Sequence, residues 1–145
     1  MNVTFSHLGI CVTDLERSTA FYCEGLGFER AERHEIGSEF AALMELEEVQ
    51  VTSQFIRQGA VTIELLKFAT PGAEVVGRRP VARTGLTHLS IRVDDVHGTA
   101  ARLVELGGSI VPGTLTEMPF GDSTLSFIYL TDPDDTRVEL MDLGG

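Results

Sequence analysis

The sequence predicts an α+β fold made of two tandem β-α-β-β-β modules. The first reason is that residues 5–15, FSHLGICVTDL, return as residues 86–96, LTHLSIRVDDV. Each copy carries a histidine, His7 or His88, followed by an apolar alternation that ends in aspartate. The second reason is that strand-like runs and turn residues then follow in the same order in each half.

A shorter repeat gives the third reason. Residues 63–66, IELL, recur as residues 138–141, VELM, so that Glu64 and Glu139 occupy matching places. Alternate side chains of a β-strand share a face, and every strand that carries one of these histidines or glutamates therefore has an apolar face and a face with one metal-capable side chain.

The composition indicates a small globular protein. The 145 residues fit one domain with a workable core, and 43% apolar and 23% charged residues are ordinary usage. A net charge of −11 disfavours nucleic acid and anionic membrane surfaces as partners. The start lacks the pattern of a signal peptide and no stretch is apolar enough to span a bilayer, which predicts a cytoplasmic protein. Cys11 and Cys23 are expected to be reduced thiols.

The first module is predicted to span about residues 3–68. Asp14 is the expected N-cap of its helix, whose inner face carries Leu15, Ser18, Phe21 and Tyr22 before glycines end it. Its strands are expected at 3–13, 28–36, 49–57 and 60–68.

Residues 38–48, SEFAALMELEE, are ambiguous. One set of apolar positions fits a short helix that begins at Ser38, and another fits a strand, because periodicity does not arbitrate so short a run. The content of Ala, Leu, Met and Glu favours the helix, which is our prediction.

Residues 69–84 are predicted to link the modules, because proline and glycine interrupt the pattern there. Arg78, Arg79 and Arg83 make this segment the cationic cluster of an acidic chain. A solvated linker is one interpretation, and a contact with an anionic substrate group or a partner subunit is the other.

The second module is predicted to span about residues 85–143. Asp95 caps a helix whose stripe is Val96, Ala100, Leu103 and Val104. After a first strand from residue 86, strands are expected at 109–111, 123–131 and 136–143, with a loop at 112–121 and a tight turn at 132–135.

Taken together, these motifs resemble the vicinal oxygen chelate superfamily, which includes glyoxalase I, methylmalonyl-CoA epimerase, extradiol dioxygenases and bleomycin resistance proteins. The resemblance rests on HLGICVTDL with AFYCEGLGF, IELL, THLSIRVDDV and TDPDDTRVELMDL, and covers essentially the whole chain. It implies that curled mixed sheets with helices outside enclose a cleft.

In the metal-binding members, residues at the places of His7, Glu64, His88 and Glu139 hold a divalent ion in that cleft. Imidazole and carboxylate suit zinc, nickel, cobalt, manganese or iron. Each residue alone would be read as an ordinary polar strand residue, but four at matching places of a repeat predict a shared metal site. The other interpretation is a cleft that binds small molecules without metal.

The four-residue set resembles glyoxalase I and methylmalonyl-CoA epimerase. The implied reaction removes a proton next to a carbonyl through a metal-stabilised enediolate. Glu139 is the preferred proton shuttle, and Glu48 falls where the epimerases carry a second base, although a surface carboxylate is the alternative reading of Glu48. The other functions left open are a non-catalytic antibiotic-binding or resistance protein and an iron-dependent dioxygenase.

Two arginines lie on the ligand-bearing faces by strand parity. Arg92 and Arg137 are candidates for binding an anionic, small-molecule substrate, and the alternative is that they are charged strand ends. Residues 36–50 are longer than the epimerase pattern and lack the substrate-binding sequence of bacterial glyoxalase I, which leaves the substrate open. The resemblance also implies a homodimer.

Overall fold

The computed structural model describes all 145 residues, which fold into two compact units, residues 1–75 and residues 76–145. Each unit contains one mixed sheet and one α-helix, so that the fold is α+β as predicted. No helix is long and apolar enough to cross a membrane.

The first unit has a four-stranded sheet. Its strands are β1 (Leu8–Cys11), β2 (Glu29–Ile36), β3 (Gln50–Gln58) and β4 (Val61–Thr70), in the order β1-β4-β3-β2. The strand β1 is parallel to β4, and the other pairs are antiparallel.

The helix α1 (Leu15–Ala20) covers one face of this sheet and continues into a π-helical turn, Phe21–Gly25. The Asp14 carboxylate accepts a hydrogen bond from the amide of Arg17 at 3.0 Å, which confirms the predicted N-cap. The predicted inner face is also confirmed, because its four side chains are buried: Leu15, Ser18, Phe21 and Tyr22. Burial of the aromatic pair supplies much of the apolar contact that holds the helix on the sheet.

The second unit has a five-stranded sheet. Its elements are β5 (Leu89–Arg92), α2 (Val96–Glu105), β6 (Ser109–Ile110), β7 (Thr116–Phe120), β8 (Ser123–Thr131) and β9 (Arg137–Asp142). The order is β5-β9-β8-β6, with β7 also paired to β8, and β5 is parallel to β9.

The Asp95 carboxylate caps α2 by accepting from the amide of Gly98 at 2.9 Å, as predicted. Val96, Ala100 and Leu103 are buried, whereas Val104 is 44% exposed. The apolar stripe of this helix is therefore narrower than the sequence pattern predicts.

The predicted helix over residues 38–48 is wrong. Only a single 3-10 turn forms, Ser38–Phe40, and turns follow through Glu45, whose φ is +58°. Phe40 and Leu43 are 43% and 77% exposed, so that no apolar face is buried to offset the cost of nucleating a helix.

The predicted loop at 112–121 is partly wrong, because residues Thr116–Phe120 form the strand β7. Strand β7 pairs with β8 across a turn at Gly121 and Asp122, and Gly121 has a φ of +60°. All five β7 residues are exposed, which explains why no hydrophobic alternation marked them. The second module therefore has one strand more than the first.

The first strand of each unit is shorter than predicted. Strand β1 begins at Leu8 and β5 at Leu89, because each pairs with a single neighbour over four residues. His7 and His88 consequently lie immediately before their strands.

Candidate functional site

Each unit brings one predicted histidine beside one predicted glutamate. The parallel pairing places Gly9 opposite Glu64 in the first unit and Ser90 opposite Glu139 in the second. In both cases the glutamate lies level with the residue two after the histidine. Since side chains two apart share a face, the common register turns the imidazole and the carboxylate of each unit to the same side of its sheet.

In the first unit, Nε2 of His7 lies 3.1 Å from Oε2 of Glu64. Nδ1 of His7 is 2.8 Å from the hydroxyl of Ser6, and the ring packs edge-on against Phe55 with 5.2 Å between centroids. The ring is therefore held by a hydroxyl on one side and an aromatic ring on the other, with Nε2 directed to the carboxylate.

The Glu64 carboxylate is held on both of its oxygens. Oε1 accepts a hydrogen bond of 2.6 Å from the hydroxyl of Ser53, which is fully buried, while Oε2 faces His7. The Glu64 side chain is 14% exposed. Two partners and this burial leave the first carboxylate with little freedom.

The second unit repeats the arrangement with looser contacts. Nε2 of His88 lies 3.5 Å from Oε2 of Glu139, Nδ1 is 2.9 Å from the hydroxyl of Thr87, and the ring centroid is 5.3 Å from that of Tyr129. The hydroxyl of Ser90 donates to the same Oε2 of Glu139 at 2.7 Å. Oε1 of Glu139 makes no hydrogen bond, so one oxygen of the second carboxylate is unengaged.

The donor chemistry of the two pairs fits a divalent metal ion. A ligating imidazole must present a deprotonated nitrogen, and its other ring nitrogen is normally held by a hydrogen bond. Hydroxyls both donate and accept, so Ser6 and Thr87 accommodate the tautomer that offers Nε2 to a metal as well as the one that donates to glutamate. Each pair supplies two donors, and within either unit no group of three or more His, Cys, Asp or Glu side chains could hold a metal ion.

The two predicted substrate-binding arginines have different surroundings. Arg137 lies two residues before Glu139 on β9 and is 7% exposed, with its guanidinium carbon 5.2 Å from the centroid of the Tyr129 ring. Arg92 ends β5 opposite Met141 and is exposed. Arg137 is thus built into the surroundings of the second pair, whereas Arg92 lies at the end of its strand.

The predicted second base, Glu48, lies in an exposed bend before β3. Its carboxylate makes no hydrogen bond or ion pair, and the structure does not bring it to the His7–Glu64 pair. Glu48 lies before β3 begins, whereas Ser53, the residue that contacts Glu64, lies within that strand.

The side chains that contact the two histidines were not predicted from the sequence. The Ser6 and Thr87 hydroxyls carried a readable signal, because a hydroxyl residue directly precedes the histidine in each half of the repeat. Phe55 and Tyr129 carried none, since only the antiparallel register places them opposite Glu64 and Glu139.

Comparison with known proteins gives a family for this architecture. A sequence model of the Glyoxalase/Bleomycin resistance protein/Dioxygenase superfamily matches residues 4–140. No curated protein matches the sequence.

Solved structures share the fold at low identity. A glyoxalase family protein from Bacillus cereus is 21% identical over 100% of this chain and 97% of its own, with a TM-score of 0.83. A variant of the fosfomycin resistance protein FosX from Listeria monocytogenes, complexed with Mn(II) and a dihydroxypropylphosphonic acid, is 20% identical over 97% of this chain and 92% of its own, with a TM-score of 0.63. A glyoxalase I variant from Zea mays is 23% identical over 93% of this chain and 43% of its own, with a TM-score of 0.64.

Proposed function

The chain belongs to the Glyoxalase/Bleomycin resistance protein/Dioxygenase superfamily, and we propose that it is a divalent-metal-dependent lyase or isomerase of the glyoxalase I or methylmalonyl-CoA epimerase kind. The proposed reaction moves a proton on the carbon next to a carbonyl group of a small molecule. The observation that carries the proposal is the His–Glu pair that both units repeat in the same register.

The proposed metal ligands are His7, Glu64, His88 and Glu139. Two imidazoles and two carboxylates suit a borderline divalent ion, among them zinc, nickel, cobalt, manganese and iron. Such an ion, when bound, supplies a Lewis acid that polarises a substrate oxygen. The hydroxyls of Ser6 and Thr87 support this assignment, because they orient both rings through Nδ1 and leave Nε2 for coordination.

Glu139 is the proposed proton shuttle. Its Oε1 makes no hydrogen bond, while Oε2 already has Ser90 and His88 as neighbours. A carboxylate with one oxygen held and one unengaged can keep its orientation while it takes and returns a proton. Glu64 is less suited to that role, because both of its oxygens are engaged.

A single shuttle favours proton movement on one side of the substrate. Epimerisation requires a second base on the opposite side, and Glu48, the candidate from sequence, lies in an exposed bend with no hydrogen bond to the His7–Glu64 pair. We therefore rank a glyoxalase-type reaction above an epimerase-type reaction.

The proposed working form is a cytoplasmic homodimer. Large apolar side chains are exposed on the single chain, including Phe5 and Leu43, each 77% exposed, and Leu86, 74% exposed. Pairing of two chains would bury such side chains, as contiguous apolar surface is buried at protein interfaces. Light scattering of the purified protein measures the oligomeric state directly.

The experiment that tests the function is exchange of the α-proton in D₂O. Metal-loaded protein is incubated with thiohemiacetals and with 2-substituted acyl-CoA esters, and deuterium at the α-carbon is followed by NMR. We expect incorporation with the wild type, loss of incorporation with Glu139→Gln, and no change with Glu105→Gln, an exposed carboxylate on α2. No incorporation by the metal-loaded wild type with either substrate class would contradict the proposal.

A further inference from the structure

Arg137 is a buried cation without a counter-charge. Its side chain is 7% exposed, and Nη2 donates one hydrogen bond to the main-chain carbonyl of Arg79 at 2.7 Å. Nε and Nη1 are buried and make no hydrogen bond. A guanidinium has five N–H bonds, and those on these two nitrogens are left without an acceptor. Burial in this state is costly, because the lost hydration of the cation is not replaced.

The guanidinium lies beside the second His–Glu pair. Arg137 and Glu139 are two residues apart on β9 and share a face of the sheet. The Tyr129 ring connects them to the histidine, since its centroid is 5.2 Å from the guanidinium carbon of Arg137 and 5.3 Å from the centroid of the His88 ring. A group that reached the unpaired donors of Arg137 would therefore lie next to the proposed proton shuttle.

Residues 76–85, which we call the strap, contact the guanidinium through the main chain of Arg79. The Arg79 carbonyl accepts from Arg137, and the Arg79 side chain donates to the carbonyl of Thr84 at 2.7 Å, which folds the strap upon itself. The strap also carries Arg78 and Arg83, both exposed. The segment that contacts Arg137 thus carries three arginines of its own, in a chain whose net charge is −11.

We propose that Arg137 is the anion-recognition residue of this site, and that the substrate carries a small oxyanion group, a carboxylate, phosphate or phosphonate. The identification of the anion as part of the substrate rests on the proposed function, whereas the anion site itself rests on the surroundings of Arg137. A planar guanidinium matches the oxygens of such groups, and charge-assisted hydrogen bonds to them are strong in a site that excludes water. The bound oxyanion supplies the acceptors that Nε and Nη1 lack, and the Tyr129 ring fixes the plane in which they are offered.

Calorimetric titration at constant ionic strength tests the proposal. Inorganic phosphate, methylphosphonate and acetate are titrated into metal-free and metal-loaded protein, so that the phosphoryl and carboxylate arms are compared directly. We expect at least one of these three anions to bind the wild type. The same anion is expected to bind Arg137→Met and Arg137→Lys at least roughly tenfold more weakly. Arg102→Met, the same change at a half-exposed arginine on α2, is expected to bind like the wild type.

A spectroscopic measurement makes the assignment specific. The Nε–H signal of Arg137, assigned by its loss in both Arg137 variants, is expected to shift on addition of the anion that binds in the titration. A structural role alone would not produce this shift. Circular dichroism establishes that each variant is folded, and Arg137→Lys keeps the test valid if Arg137→Met does not fold.

The outcomes separate this inference from the proposed function. Absence of anion binding to the wild type, or equal binding by wild type and both Arg137 variants, would overturn the anion site. Anion binding that depends on Arg137 in a protein without metal-dependent proton exchange would support the anion site and overturn the proposed function. Proton exchange on a substrate without an anionic group, at the wild-type rate in Arg137→Lys, would support the proposed function and overturn the anion site.

Discussion

The two units carry the same pair of side chains, a histidine and a glutamate, in the same register but hold them differently. In the first unit, Glu64 has a partner on each oxygen and the histidine packs on Phe55. In the second, Glu139 has one unengaged oxygen and the histidine packs on Tyr129. The repeat therefore preserves the histidine and the glutamate, while the residues around them differ.

The residue two before each glutamate shows the same divergence. It is Thr62 in the first unit and the buried Arg137 in the second. The first unit thus engages both oxygens of its carboxylate, and the second combines a carboxylate with one unengaged oxygen and a buried cation. We infer that proton transfer and substrate recognition belong to the second unit.

The largest expected effect comes from removing the two carboxylates separately. Glu139→Gln is expected to lower kcat by about 10²- to 10⁴-fold, the range for loss of a general acid–base group. Glu64→Gln is expected to act through metal affinity, so that part of its activity returns at saturating metal. Steady-state kinetics across a metal titration measures the kcat and the metal dependence of each variant. The same kcat and the same metal dependence in both variants would contradict the proposed difference between the units.

Arg137→Met is expected to leave stability unchanged or raise it by up to about 4 kcal/mol, because a buried cation without a counter-charge is replaced by an apolar side chain of similar length. Thr62→Ala, at the matching place, provides the comparison. Urea denaturation of both variants gives the free energies of unfolding. A large loss of stability in Arg137→Met would show that the arginine is structural.

The two serines that donate hydrogen bonds to the carboxylates are expected to contribute unequally to stability, with the larger contribution in the first unit. Ser53 is fully buried, and Ser53→Ala removes one of two partners of Glu64 at a cost of about 1–3 kcal/mol. Ser90 is exposed, so Ser90→Ala is expected to cost less, about 1 kcal/mol. Thermal unfolding of the two variants ranks them, and the reverse order would contradict a larger contribution in the first unit.

The smallest expected effect concerns the contacts between each helix and its sheet. In the first unit, hydrogen bonds from Arg30 and Arg33, each 3.0 Å long, lower the pKa of Glu16 below its usual 4.5. The ionised Glu16 therefore contributes to the free energy of unfolding above its unfolded-state pKa. This contribution is lost as the pH falls through the lower pKa of the folded state. In the second unit the contact is between His97 and Glu117, 3.5 Å apart.

We therefore expect Glu16→Gln to cost less than about 1 kcal/mol at neutral pH, since the group is largely exposed. The free energies of unfolding of the wild type and the variant should become equal in acid. Urea denaturation at neutral pH and well below pH 4.5 checks the sign, and a difference that grows in acid would contradict it.

Sequence predicted the features that depend on local pattern. The repeats located His7 and Glu64 with their counterparts, and the aspartates before each helix were correctly assigned as caps. Strand parity also placed Arg137 on the face of β9 that carries Glu139. These inferences need only the period of a strand and the chemistry of a helix end.

Sequence did not predict features that depend on burial or pairing. The 38–48 segment has good helix formers but no apolar face that packs, and β7 is a strand only because β8 lies beside it. The unpaired state of the Arg137 guanidinium was also unreadable, because it depends on the strap and on Tyr129. Long-range neighbours decide each of these cases.

We propose that both His–Glu pairs hold the same metal ion, although their surroundings differ. Elemental analysis of protein purified without chelator tests it most directly, on the wild type, His7→Ala, His88→Ala, and His97→Ala as a control away from both pairs. We predict near-stoichiometric nickel, cobalt, zinc, manganese or iron in the wild type and the control, and loss of metal in both other variants. Metal retained in either variant, or no metal in the wild type after soaking, would contradict the claim.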